Sequence, residues 1–319
     1  MVRAMQWVRQ HPAAAAVLKA AAAIVLLGAL FHYVDAGAIA RSIRLARPEW
    51  IAAGVVLLIP QLWMQFIRWR FLLRASRLTP GNAQVFASLA AGFPAGFFTP
   101  GQLGEIGGRL YGLGAEHRLT VLAMAAIDRI YVLGMTIVLG LASALVYFPL
   151  YLPSAWGIGL TLLAALCCCI ASMIMLMPGA AKALLHRLPA RVRAHRFYAP
   201  LSVFETGFST GHAASYTLQT LVLFGIIILQ YHCFVNAFAP ASLASTLLCV
   251  PIVLFVKSVV LPVSIGDLGV RESASVFFYL RMGVPAEAAL NGSLCIFAVN
   301  VVLPAALGLI MLMRFNKRK

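Results

Sequence analysis

Two acid–arginine pairs stand in stretches too apolar to hold them without a purpose: Glu105 with Arg109, and Asp267 with Arg271. In each pair the acid and the base are four residues apart, which places them on one face of a helix. The two stretches are copies. Thr99-Pro100-Gly101-Gln102-Leu103-Gly104-Glu105-Ile106-Gly107-Gly108-Arg109 returns as Pro262-Val263-Ser264-Ile265-Gly266-Asp267-Leu268-Gly269-Val270-Arg271-Glu272, in the shared pattern P-x-x-[LI]-G-[ED]-[IL]-G-x-R. Pro100, Gly104, Gly107 and Arg109 recur as Pro262, Gly266, Gly269 and Arg271, at a constant offset of 162. Asp128, Arg129, Lys257 and Glu272 also lie in apolar segments. An unpaired charge at a helix centre costs about 2.5–3.5 kcal/mol on insertion scales, so these groups require partners or water. Glu105–Arg109 and Asp267–Arg271 pair locally. Asp128 and Arg129 are adjacent and point about a quarter-turn apart, so their partners must come from elsewhere.

The chemistry such a set can do is recognition. Arginines in a hydrated interior bind phosphate or another anionic group, and carboxylates orient them or meet an amine. The candidate substrate-binding residues are Glu105, Arg109, Asp128, Arg129, Lys257, Asp267, Arg271 and Glu272. A plainer reading is that the pairs only lock helices together, since buried pairs can specify packing. A proton or ion relay is a third.

These side chains need elements to hold them. Residues 83–113 are apolar but broken by Pro94, Pro100 and a run of glycines, which predicts two half-length helices meeting near Phe98-Thr99-Pro100. Thr99 can cap the second half-helix, Pro100 suits its first position, and Gln102 completes a capping box. Residues 242–280 repeat the broken pattern around Pro262, with Ser264 and Asp267 at capping-box spacing. The half-helix N-termini would be built from Thr99, Pro100, Gly101 and Gly104 in one copy and Pro262, Ser264 and Gly266 in the other. Their free N–H groups suit an anion. The spacing Gly104-x-x-Gly107-Gly108 also permits close helix contact.

Composition sets the solvent. The chain has 319 residues, 62% hydrophobic and 11% charged, with mean hydropathy +0.92. A soluble domain carries about 25% charged residues. No globular fold of this length hides so much apolar surface. An all-α polytopic membrane protein follows, since helices satisfy their own backbone in lipid. Net charge is +16, but the basic residues sit at the ends of apolar runs, as the positive-inside rule produces, which excludes a nucleic-acid reading. Cys167, Cys168, Cys169, Cys233, Cys249 and Cys295 lie in apolar runs without C-x-x-C spacing and read as small core residues. The histidines are scattered, and no H-E-x-x-H or Ser/His/Asp constellation appears, so no metal, cofactor or catalytic centre is expected.

In order, the chain reads as a single membrane domain over residues 1–319. A retained first span runs to about Tyr33, too long for a signal peptide. A polar link at 35–49 follows, then a second span opened by Trp50, kinked at Pro60 and ended by Arg68-Trp69-Arg70. Trp and Arg together read there as a membrane interface, with Trp63 and Trp69 in the aromatic belt. After the first hairpin come a span at 119–147, a tight turn at 148–154 and a span at 155–177. A basic linker at 178–212, in part an amphipathic surface helix, leads to a span at 213–237, the second hairpin and a last span at 290–313. Six full spans and two broken, re-entrant hairpins result. With both termini cytoplasmic, most lysines and arginines fall inside. Three spans separate the hairpins, so they enter from opposite faces. Residues 14–147 and 155–313 then form an inverted-topology repeat, which places a binding site between the halves.

At Arg68-Trp69-Arg70, the Pro100-to-Arg109 motif, Asp128-Arg129 and the Ile265-to-Glu272 segment with its G-x-x-G-x-R-E ending, the chain resembles the membrane region of lysylphosphatidylglycerol synthases, a flippase-like family. The likeness spans nearly the whole chain. Synthases of the family add a soluble aminoacyl-transferase domain, and related members a glycosyltransferase domain. This chain ends at Lys319, which leaves room for neither, so the resemblance implies the lipid-translocating half without the enzyme. Similar stand-alone proteins occur beside hopanoid-synthesis enzymes. Asp267 departs from the family, which more often has glycine there. The expectation is a non-enzymatic, multi-pass protein of the bacterial inner membrane. It would move or shield the headgroup of an anionic or zwitterionic membrane lipid. The alternatives are a non-transporting partner of a lipid-biosynthesis enzyme, or an intramembrane transferase using Glu105 or Asp267 as base.

Overall fold

The computed structural model describes residues 36–99, 102, 104–114, 116–151, 159, 162–163, 165–167, 169, 209–259 and 269–316. The described elements are helical: α1 (Ala36–Arg44), α2 (Pro48–Val56), α3 (Leu58–Ala75), α4 (Asn82–Phe97), α5 (Gly104–Gly108), α6 (Arg118–Tyr151), α7 (Thr210–Phe238), α8 (Leu243–Val259), α9 (Val270–Arg281), α10 (Ala286–Phe297), a π-helical turn at Ala298–Val302, and α11 (Leu303–Asn316). Four stretches are long and apolar enough to cross a membrane: Pro48–Ala75, Arg118–Tyr151, Thr210–Phe238 and Ala286–Met313. They match four of the six expected spans. The first span, most of 155–177 and the linker 178–208 lie outside the described residues.

The surface agrees with lipid as solvent. Ile59, Trp63, Phe98 and Leu150 are each more than 60% exposed, while Arg68, Arg109, Asp128, Arg271 and Glu272 are buried. That inversion of the soluble pattern is stable only where hydrocarbon lies outside.

The expected kink at Pro60 is present. The helix is interrupted at Leu57, between α2 and α3. Proline lacks the N–H that would reach residue 56 and crowds that carbonyl. The 35–49 segment is more than a polar link, for it contains α1. This helix buries Ile39 against α10 and leaves Arg41 and Arg44 exposed, an amphipathic division that its polar composition had hidden. The expected turn at 148–154 starts later, since α6 continues to Tyr151 through Pro149.

The first hairpin contains the expected break; the one expected around Pro262 lies outside the described residues, between the end of α8 at Val259 and the start of α9 at Val270. In the first, α5 folds back onto α4. Gly104 and Gly108 are the reason it can: a Cβ at Gly108 would stand 2.6 Å from the Ala91 carbonyl oxygen and 2.8 Å from Gly92 Cα, and one at Gly104 would strike the Ala95 carbonyl and Thr99. Gly107 faces open space. Gly108→Val is therefore expected to force the hairpin apart and cost about 3 kcal/mol, while Gly107→Ala leaves the unfolding temperature within a degree or two. Thermal unfolding in detergent checks both.

The packing is reciprocal. Hairpin helix α4 lies along α11, and hairpin helix α8 lies along α6. In the α6–α8 contact Gly140 receives Phe255, and in the α4–α11 contact Gly308 lies on the Ala90 carbonyl. Between them α7 packs on α2, α3, α8 and α10 and belongs to both apolar cores.

Candidate functional site

The first motif does not start its helix as expected. α5 begins at Gly104 rather than at Pro100, which lies outside the described residues with Gly101. Thr99 still caps it. Its hydroxyl accepts the Gly104 N–H at 2.7 Å and donates to the Ala95 carbonyl at 2.9 Å, tying the end of α4 to the start of α5. Gln102 makes no capping box. It adopts a left-handed conformation, with φ at 58°, and turns its amide oxygen to Arg129, 3.3 Å from Nη1. The break between the half-helices is too long for a capping box to close.

Glu105 on α5 and Arg109, in the turn that follows it directly, pair at 2.6 Å. Asp128, on α6, receives three groups: Arg68 Nη2 at 2.7 Å, Arg109 Nη2 at 2.8 Å, and the Tyr216 hydroxyl, which donates to the same oxygen that meets Arg68. Arg129 turns the other way, with Nη1 3.7 Å from Glu105. The adjacent pair thus serves two neighbours, as a quarter-turn separation requires. Three arginines and two carboxylates from α3, α5 with its following turn, and α6 form one network.

Arg68 and Trp69 correct the interface reading. Arg68 is 2% exposed and Trp69 fully buried, whereas Trp63 faces outward. The Arg109 guanidinium lies 4.6 Å above the Trp69 ring, and Arg68 lies 4.8 Å above Tyr216. Trp69 Nε1 donates to Ser88 at 3.1 Å, and Ser88 donates to the Arg109 carbonyl. One tryptophan therefore holds the guanidinium from below and, through Ser88, the backbone that carries it. Trp69→Leu loses the cation–π contact and opens a void, so a stability loss of about 3 kcal/mol is expected, against about 1 kcal/mol for Ser88→Ala. Chemical unfolding of the two variants in detergent measures the difference.

The second motif is seen in part. Pro262, Ser264, Gly266 and Asp267 lie outside the described residues. α9 begins after Gly269, whose φ of 94° is open to glycine, and the Gly269 N–H donates to Glu272 Oε2 at 2.7 Å. Arg271 is gripped by its neighbour Glu272, with Nη2 2.5 Å from Oε1, and by Ser293 at 3.1 Å; Phe297 lies under its guanidinium. Ser293 also donates to Glu272 at 3.2 Å, bringing α10 into the cluster.

Between the two clusters is a cavity of about 460 Å³. Arg68, Glu105, Arg109, Asp128 and Arg129 from the N-terminal side of the chain and Lys257, Arg271 and Asn300 from the C-terminal side line its wall. Among the described residues five cationic side chains face it against two carboxylates. Apolar side chains such as Phe93, Leu133, Leu223 and Ile296 complete the lining. A concave, largely apolar chamber with a few convergent charges is what a site for an amphiphilic anion needs.

Arg68, Trp69, Ser88, Tyr216, Ser293 and Asn300 are site residues that spacing did not select, and Gln102 was selected only as a cap. Only Arg68 and Trp69 carried a signal, as a charge and an indole in a conspicuous R-W-R. Among the described residues no group of three His, Cys, Asp or Glu side chains is placed to hold a metal ion.

Comparison with known proteins places residues 15–308 on the model of one family, described as the lysylphosphatidylglycerol synthase TM region. No curated protein matches the chain, and no solved structure does.

Proposed function

This chain belongs to the lysylphosphatidylglycerol synthase TM-region family, and from that premise we propose that it moves, or shields, the headgroup of an anionic or zwitterionic lipid across a bacterial inner membrane. Membership ties it to lipid metabolism at a membrane. The observation that carries the finer reading is the joint cavity, where cations from both halves face one chamber. A phosphate entering it would exchange carboxylate partners on Arg109 and Arg129 for its own oxygens, while the acyl chains remain in lipid.

The reciprocal packing of the hairpins supports an inverted repeat. In that arrangement each hairpin enters from its own face, and rocking one half against the other opens the chamber to alternate leaflets. Both termini would be cytoplasmic, as the basic residues suggest. No nucleotide-binding motif is present in the sequence, so any drive would come from the lipid or an ion gradient. A transferase using Glu105 as base would first have to draw it away from Arg109 and Arg129.

The test is dithionite quenching of a fluorescent phospholipid in proteoliposomes. The wild-type protein is expected to expose inner-leaflet probe within minutes. Glu105→Gln, which loosens Arg109 and Arg129 together, is expected to change that rate at least fivefold. A folded protein that leaves the probe protected for hours removes the transport reading and leaves a scaffold that hands lipid to an enzyme.

A further inference from the structure

Behind the cavity wall at Arg271 runs a second set of polar side chains, which lipid recognition leaves without a task. Arg271, Ser275 and Tyr279 recur every four residues on α9, so they form one stripe about 12 Å long. The Ser275 and Tyr279 hydroxyls are fully buried and have no hydrogen-bond partner among the described residues. The same holds for the hydroxyl of Tyr231, which comes from α7 and stands in the cavity wall. Tyr231 lies beside Ser275, Ser293 and the Arg271–Glu272 pair. Tyr279 lies near both Tyr231 and Thr246 of α8.

The stripe continues past Tyr279. Thr246 is fully buried, and its hydroxyl is 3.0 Å from Nδ1 of His232. His232 is half-buried in the last two turns of α7, with Trp50 of α2 edge-on at 5.9 Å. Asn236, one turn further on, holds the Ala241 backbone by bonds of 3.1 Å in both directions. His232 thus stands where α7 turns into α8. Among the described residues it makes no ion pair, and the groups that face it are Trp50, Thr246 and Asn236.

Packing alone does not explain the hydroxyls. Phenylalanine or alanine would fill the same places without burying an unsatisfied polar atom, which costs about 1–3 kcal/mol each. Buried polar groups of this kind are completed by internal water, which makes about three hydrogen bonds per molecule. A hydroxyl donates one proton and accepts others, and so does water. An unbroken run of such groups is what proton transfer through a membrane protein uses. We propose that the stripe is a proton path, in which water held by Tyr231, Ser275 and Tyr279 joins the cavity to Thr246 and His232. A proton arriving from the α7–α8 end binds one ring nitrogen of His232, and the other nitrogen releases its proton towards Thr246. Each hydroxyl and water then accepts one proton and passes on another, until one is delivered to the cavity. No covalent bond other than O–H and N–H changes, and the reverse order carries a proton outward. Imidazole suits the entry because it gains and loses a proton near neutral pH.

Conduction does not depend on what occupies the cavity; only its use as a drive rests on the transport reading. The test uses the full chain in potassium-loaded proteoliposomes containing pyranine, with valinomycin added to set a negative interior. The wild-type protein is expected to acidify the interior faster than protein-free liposomes do. Tyr279→Phe is expected to fall to the protein-free rate. It removes a hydroxyl that bonds no described residue, so its unfolding temperature should stay near that of the wild type; Ser275→Ala serves if it does not. Wild-type protein no faster than protein-free liposomes overturns the proposal, as does a folded variant that conducts like the wild type. Radiolytic labelling in heavy-oxygen water reads the path directly, with Tyr231 and Tyr279 expected to be labelled despite their burial. Two unlabelled tyrosines overturn the water file, and labelling without conduction leaves isolated waters and overturns the path. Dithionite quenching in the same liposomes keeps the readings apart. Proton flux with a protected lipid probe removes transport and keeps the path, and probe movement without proton flux does the reverse.

Discussion

Asp128→Asn is expected to destabilise the protein by about 3–5 kcal/mol, the largest effect of any single polar substitution in the chain. Among the described residues Asp128 is the only carboxylate touching Arg68, and it shares Arg109 with Glu105. Arg68 and Arg109 have side chains 3% and 6% exposed, so water cannot replace the lost charge. The asparagine keeps the shape and one acceptor oxygen but leaves two guanidiniums facing each other across a neutral group. The double variant Arg68→Met/Asp128→Asn removes a charge of each sign and should recover part of the loss, because Arg109 retains Glu105. Tyr216→Phe removes one bond to the same carboxylate and should cost far less, about 1–2 kcal/mol. Unfolding midpoints in detergent rank the three. Equal losses for Tyr216→Phe and Asp128→Asn would show that charge balance is not what holds this cluster.

Arg109→Gln is expected to do the opposite: little harm to folding and a loss of lipid movement of about tenfold or more. Removing Arg109 leaves Arg68 with Asp128 and Arg129 with Glu105, two acids and two bases still adjacent. With three arginines reduced to two against two carboxylates the network becomes neutral, so no buried charge is stranded. What disappears is a guanidinium lining the cavity, whose Nη1 has no hydrogen-bond partner among the described residues. A charge-assisted hydrogen bond to a headgroup contributes about 1.5–3 kcal/mol, which corresponds to at least a tenfold change in rate or affinity. Dithionite quenching alongside thermal unfolding separates the two effects. A variant with the wild-type unfolding temperature and the wild-type rate places the headgroup elsewhere.

Much of the site's membership could be read from the chain because the membrane makes charge conspicuous. In a soluble protein Glu105, Asp128 or Arg271 would be one among many ionisable residues; here each stands alone in an apolar run and must be inside. The Glu105–Arg109 contact follows from one helical turn, and the hairpin break follows from Pro94, Thr99 and the glycines. Local geometry suffices for these.

Contacts that join distant segments were not readable in that way. Arg68 looked like an interface residue because it stands in the run Arg68-Trp69-Arg70, and helix packing decides that Arg68 and Trp69 turn inward. Arg68 meets Asp128 across sixty residues, and Tyr216 meets it across eighty-eight. Nothing in spacing encodes such a pairing, since it arises when α3, α5, α6 and α7 pack and the buried carboxylate takes whatever donors the packing brings. Composition, the repeated motif and the glycine spacing by themselves determined a helical membrane protein with charged broken hairpins. Only the tertiary structure decided that those charges share one cavity and that Arg68, Trp69 and Asn300 help to line or support it, because in a low-dielectric interior partners are chosen by proximity in space rather than along the chain.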